Sequence, residues 1–241
     1  MYSTEVEGEV LSFGTSGLLY RSNKLMYDRG SKTLWVQFQG TTAVGPLVGS
    51  GIELEVLPVT LTTWSDWLEL HPETTVLDND TGVYPADAYR PESDERSIYY
   101  DYRADTGPIF PVHARSELLP AKSLVLGLNI DGLPKAYPLA ELYERPVAND
   151  AVGGTDVVVI ATDGIRGARA YERNGLSFSG PASEDGVLSV IDASGRRWLL
   201  REDALVLERD PSQSLPRLES RVAYWFGWFQ YHPTTAIYEA P

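Results

Sequence analysis

The chain has 241 residues, 43% of them hydrophobic, no cysteine, and a formal net charge of −14. That apolar content can bury one large core or two smaller ones and excludes overall disorder. The acidic excess, with basic residues scattered singly, excludes nucleic acid and anionic membrane as partners; the missing cysteines exclude disulfides, thiolate metal sites and thiol nucleophiles within these residues.

Short extended runs between turn residues predict a mainly β fold, with α+β character only at the margins. In chain order, strands are expected over residues 9–13, 34–39 and 54–60. A helix is expected over residues 63–70, capped by Thr62 or Thr63, with Asp66 in its first turn and Trp64 and Trp67 on one face. It should stop at His71-Pro72, because proline bars the residue before it from the α region. Residues 78–122 carry Tyr84, Tyr89, Tyr99, Tyr100 and Tyr102, too many for a flexible linker, so an ordered crossover with packed rings is expected.

Beyond it, strands are expected over residues 124–130, 157–161 and 205–208. Asp131-Gly132 reads as a tight hairpin turn, Gly153-Gly154 as a second, and residues 139–143 as a short helix. Trp225 and Trp228 mark a last helix that should end at His232-Pro233. No run of 18 apolar residues and no basic leader with an apolar stretch occurs, so no membrane insertion is expected.

The chain also repeats itself. LSF at residues 11–13 answers LSF at 176–178, Asp28 and Trp35 answer Asp192 and Trp198, and LTTWSDWLELHPETTVL, ending at Leu77, answers VAYWFGWFQYHPTTAIY, ending at Tyr238. Two tandem related β-rich repeats follow, each with a short Trp-bearing helix near its end. The expected division is a first repeat at 1–77, the Tyr/Asp/Pro-rich connector at 78–123, and a complete second repeat at 124–241. Residues 124–170 have no counterpart ahead of Val10, so the first repeat reads as N-terminally incomplete. The strand edge this leaves unpaired would favour a homodimer.

VLSFGTSGLLYRSNKLMYDRGSKTLWVQFQGTTAVGPLVG (10–49) resembles the signature of domain of unknown function family 3179 (DUF3179). The resemblance continues through LEVLPVTLTTWSDWLELHPETTVL (54–77) and returns in VLGLNIDGLPKAYPL (125–139) and NDAVGGTDVVVI (149–160), most of the chain in all. It implies a further copy of the AYPL–ND–VGG–VVV segment ahead of the matching block, running into a Cys-Pro-Leu-Cys motif. Met1-Tyr2 stands about where that motif should just have ended, and the second copy has Ala161-Thr162-Asp163-Gly164 in its place. A shortened product, an upstream part lost in gene calling, or a natural degenerate member would each give this pattern.

Residues shared by the two copies are explained by shared packing, and His71 and His232 by their place at helix C-termini. The first copy alone has Tyr20-Arg21-Ser22-Asn23 and Met26-Tyr27, where the second reads Gly180-Pro181-Ala182-Ser183 and Val190-Ile191. As a ligand site, Ser22 and Asn23 would supply hydrogen bonds, Tyr20 and Tyr27 the walls, and Met26 a soft thioether. The bland alternative is a longer, tyrosine-flanked hairpin kept for structure. Gly14-Thr15-Ser16-Gly17 lacks the lysine and helix of a phosphate loop. Asp78-Asn79-Asp80-Thr81-Gly82 lacks the distal glutamate of a calcium loop, so no metal site is expected.

Two functions stay open. The chain as it stands is a non-catalytic module binding a small ligand or a protein partner. Alternatively it is part of a thiol-redox or soft-metal, copper-type enzyme, whose cysteine motif, implied by the resemblance, would lie upstream of residue 1 near Met26 and Ser22. No pattern names a cofactor.

Overall fold

The structure, a computed structural model, describes residues 1–80, 82–85, 88–97, 99–162, 167–184 and 187–240. Thr81, Asp163 and Gly164, and the side chains of Ala182 and Ser183, lie outside what it describes.

The fold is mainly β. Its first half comprises β1 (Glu5–Val6), β2 (Glu9–Val10), β3 (Phe13–Tyr20), β4 (Asn23–Asp28), β5 (Leu34–Val36), β6 (Thr41–Val44) and helix α1 (Trp64–Leu70). Among its described residues the connector holds one short helix, α2 (Tyr100–Ala104). The second half begins with β7 (Leu124–Ile130), β8 (Leu133–Pro138), α3 (Leu139–Glu144), β9 (Val147–Val152), β10 (Thr155–Ala161) and β11 (Ala168–Glu172). It continues through β12 (Phe178–Glu184), β13 (Val187–Asp192), β14 (Arg197–Leu200), β15 (Ala204–Leu207) and β16 (Ser214–Pro216), and ends with β17 (Arg221–Tyr224), α4 (Trp225–Phe229) and β18 (Ala236–Ile237).

Local chemistry sets the hairpins. Asp131 and Gly132 both take positive φ (51° and 76°), as do Gly153 and Gly154 (59° and 81°). Two such residues make the turn whose twist matches the flanking strands, and β7 meets β8, and β9 meets β10, across these pairs. The Val-Val-Val-Ile run of β10 reads apolar throughout because both its faces are covered. Val157 and Val159 join Leu126, Tyr137 and Leu142 in one core, whereas Val158 and Ile160 join Phe178, Trp198 and Leu205 in the next.

The sheets β3-β4-β5-β6 and β12-β13-β14-β15-β16 share a set of contacts. Phe13 pairs with Asp28 and Phe178 with Asp192 in register. Trp35 Nε1 donates to Asp28 Oδ2 at 3.1 Å, and Trp198 Nε1 to Asp192 Oδ2 at 3.0 Å. Phe13 meets Trp35 edge-on at 5.9 Å and Phe178 meets Trp198 likewise at 6.0 Å. Burial alone would raise the pKa of Asp28 and Asp192, but the hydrogen bonds each accepts bring both below the ordinary carboxylate value.

Arginine side chains tie the two halves together. Residues 59–60 lie against the second half, where Arg217 Nη2 donates to Val59 O and Thr60 Oγ1, both at 3.0 Å. Residue 221 lies against the first half, where Arg221 Nη1 donates to Tyr2 Oη at 2.6 Å and to Phe38 O. Phe38 in turn packs with Trp225 and Trp228 of α4.

Three expectations need correcting. Residues 54–60 form no strand: they pair with residues 1–3 only around the Val56–Tyr2 bridge, where Ser3 N donates to Glu55 O and Leu57 N to Met1 O, and the pairing goes no further. Helix α4 stops at Phe229, three residues before His232, its C-cap being Gln230. In the connector, Tyr84, Tyr89 and Tyr99 are exposed; Tyr99 meets Tyr102 edge-on at 6.5 Å, and the Lys122 ammonium lies 3.8 Å from the Tyr102 ring centroid. Helix α1 keeps its expected cap, Thr63 Oγ1 accepting from Asp66 N at 3.1 Å.

Candidate functional site

The β3–β4 hairpin turns on Arg21 and Ser22, both left-handed, with φ of 48° and 54°. Neither is glycine, so this backbone costs roughly 1–2 kcal/mol per residue. Long-range contacts hold it there. Arg21 Nη1 donates to Gln230 O at 2.8 Å, and its guanidinium lies 5.3 Å and 5.5 Å from the Tyr20 and Tyr231 ring centroids. Tyr231 Oη donates to Tyr20 O at 2.9 Å, and Ser22 Oγ donates to Pro111 O at 2.6 Å. The turn is thereby fixed by the second half and the connector together. Strain maintained by surrounding structure is a recurring property of ligand sites.

Beneath the turn lies a cavity of about 430 Å³, lined among others by Ser22, Asn23, Phe38, Arg221, Gln230 and Tyr231. Two amides on its wall carry an oxygen with no partner, Asn23 Oδ1 and Gln230 Oε1. Gln230 is only 1% exposed. Most buried polar atoms are hydrogen-bonded, so two unpaired acceptors on residues lining one cavity call for an explanation. The rings are already organised: Phe38 stacks on Tyr231 at 4.5 Å and 10°, and Tyr224 on Phe226 at 6.0 Å and 21°. Burial pushes the Tyr231 hydroxyl up to about 12, leaving it a neutral donor.

Arg221 stands at the cavity's edge, its guanidinium 5.2 Å and 5.7 Å from the Tyr2 and Phe38 ring centroids, with Nη2 3.2 Å from Glu219. Burial raises the Tyr2 pKa against the opposing effect of Arg221. On the far side of Phe38 and Arg221 is a second cavity of about 310 Å³, lined by Glu53, Asn129, Glu219 and His232 among others. Burial first, and then the Arg221 charge, bring His232 down to about 4, so its imidazole is neutral at pH 7.

Of the residues singled out from the sequence, Ser22 and Asn23 line the first cavity and Tyr20 borders it through Tyr231, ring centroids 6.4 Å apart. Met26 and Tyr27 lie further along β4 and are not among the lining residues. Met26 sits in register between Thr15 and Trp35. The Tyr27 ring covers Gly14, where a Cβ would come within 2.7 Å of it, and its hydroxyl accepts from Arg29 Nη1 at 3.1 Å. Sequence reasoning missed Phe38, Arg221, Gln230 and Tyr231. The signal was there: where the second copy has Arg221, Gln230 and Tyr231, the first has Thr60, Glu69 and Leu70.

Among the described residues, no group of three or more His, Asp or Glu could hold a metal ion, and no helix is long and apolar enough to cross a membrane. The geometry defines a mainly β protein whose halves are tied together by Arg21, Arg217 and Arg221 and enclose an amide- and ring-lined cavity. A family model described as protein of unknown function (DUF3179) matches residues 1–235, and the chain belongs to that family. No curated protein and no solved structure matches it.

Proposed function

We propose that the chain is a non-catalytic binding module, and that the cavity beneath the Arg21-Ser22 turn takes a small, flat molecule carrying N–H donors. The observation that carries this is the pair of unpaired amide oxygens, Asn23 Oδ1 and Gln230 Oε1, on two residues that line one cavity. Each would accept from the ligand, removing the penalty of a buried unpaired polar atom. The rings of Phe38, Tyr224, Phe226 and Tyr231 give the apolar body that such pockets provide, and a few fixed polar groups orient the guest.

Titration calorimetry with two probes tests the reading. Benzamide, with its N–H donors, should bind measurably, and N,N-dimethylbenzamide, which has none, should bind at least about tenfold more weakly, the equivalent of one lost hydrogen bond of about 1.4 kcal/mol. Equal binding of the two, or binding of neither, contradicts the proposal.

The two halves also read as copies of one unit, 1–77 and 124–241, joined by 78–123. The matched Asp–Trp bonds and edge-on ring pairs support this.

A further inference from the structure

Helices α1 and α4 end in the same construction. Trp67 Nε1 donates to Thr74 Oγ1 at 2.9 Å, and Trp228 Nε1 to Thr235 Oγ1 at 2.9 Å. The ring of His71 lies 4.1 Å from that of Trp67, tilted 36°, and His232 lies 4.1 Å from Trp228, tilted 37°. Backbone bonds repeat the match, from His71 N to Trp67 O and Thr74 N to His71 O, and from His232 N to Trp228 O and Thr235 N to His232 O.

Their surroundings differ completely. In the second half the segment grips a hairpin from both sides, in the strand order β17-β7-β8-β18. Arg221 to Tyr224 pair antiparallel with Gly127 to Leu124, and Trp225 and Trp228, each 1% exposed, pack on Val125 and Ala136. Gly127 is required there, since a Cβ at that position would overlap the Trp228 ring. In the first half no residue of α1 is buried. Trp64 is 52% exposed, and Leu57, Val59, Leu61, Leu68, Leu70, Val76 and Leu77 are exposed beside it. The backbone amides of residues 59–63 donate to no backbone carbonyl among the described residues.

We propose that residues 57–77 form a docking surface for a β-hairpin of the β7–β8 kind. Its first strand would pair antiparallel with residues 60–63 and present a glycine to the Trp67 ring. Strand addition to an unpaired edge gives such a partner its backbone bonds, and the exposed apolar side chains give it buried area. The edge is already positioned, because Arg217 holds Val59 O and Thr60 Oγ1. A second copy of this chain does not supply the occupant. Its β7–β8 hairpin is already held by its own β17 and β18, and edge pairing of two 60–63 segments would leave the Trp67 ring without its glycine-bearing strand.

The test appends residues 121–139 to the full chain, ahead of Met1, through a flexible Gly/Ser linker, and follows amide hydrogen exchange. Amides of residues 59–70 should exchange roughly tenfold more slowly or better than in the unextended chain, while those of β12 to β15 are unchanged. Replacing glycine by leucine in the appended hairpin, at the position matching Gly127, should abolish the gain. Should that protein misfold, the same hairpin supplied as a cyclic peptide, with and without the Gly→Leu change, gives the equivalent comparison. Unchanged exchange at 59–70 in an otherwise protected protein overturns the proposal, and so does equal protection by the leucine version. An unextended chain that is dimeric with residues 59–70 already protected also overturns it, in favour of a second copy.

Discussion

Gln230→Met should stabilise the protein, an unusual outcome for a change at a buried position. Gln230 is 1% exposed and its Oε1 has no partner, and a buried unpaired acceptor costs about 1–3 kcal/mol. Methionine matches glutamine in length and flexibility, so the volume is kept and the orphan acceptor is gone. The bond from Arg21 to Gln230 O is to the backbone and survives. Allowing for imperfect packing of the thioether, a net gain of about 1–2 kcal/mol is expected, which for a chain of this length is about 2–8 °C in Tm. Thermal and urea unfolding followed by circular dichroism measure it. The same variant should lose its preference for benzamide over N,N-dimethylbenzamide, the usual exchange of stability against function. A loss of more than about 1 kcal/mol would mean that the amide is already satisfied, and the argument from unpaired acceptors would fail.

Trp35→Phe and Trp198→Phe each remove one bond to a buried carboxylate and should each cost about 1.5–3 kcal/mol, equal within about 0.5 kcal/mol; clearly unequal losses would count against the two halves being copies. The pH profile of stability should have two limbs. Folded His232 has a pKa of about 4 against an ordinary 6.5, so the unfolded chain takes up its proton first, and stability falls as pH drops from 6.5 towards 4. Glu202, where burial is overruled by Arg169, Thr60 and Arg217, has a folded value of about 2 against 4.5, so its contribution is full above pH 4.5 and is lost as pH falls towards 2. His232→Phe should reduce the upper limb alone and Glu202→Gln the lower alone, to which Asp28 and Asp192 also contribute; an unaltered profile in either variant refutes that assignment.

What could be read from the sequence was local. Asp131-Gly132, Gly153-Gly154 and the Thr63 cap act over a few residues, and their structures follow from turn and cap chemistry. The paired landmarks Asp28 with Trp35 and Asp192 with Trp198 were legible because one motif is written twice. Residues 54–60 carry a strand pattern, but their neighbour, residues 1–3, pairs with them only over 55–57, and a pattern alone does not lengthen it. Ser22 and Asn23 emerged as a first-copy peculiarity, yet Arg221, Gln230 and Tyr231 of their cavity are donated from some 200 residues away. Arg21 to Gln230 and Tyr231 to Tyr20 are contacts between the halves, which no periodicity within one element encodes.

The most direct test of the binding account is a nuclear magnetic resonance titration reading the side-chain amide signals of Asn23 and Gln230. With benzamide, both signals should shift together and saturate at one molecule per chain, while N,N-dimethylbenzamide leaves them in place. Benzamide shifts that do not saturate, or that appear elsewhere and leave Asn23 and Gln230 unmoved, would contradict the account.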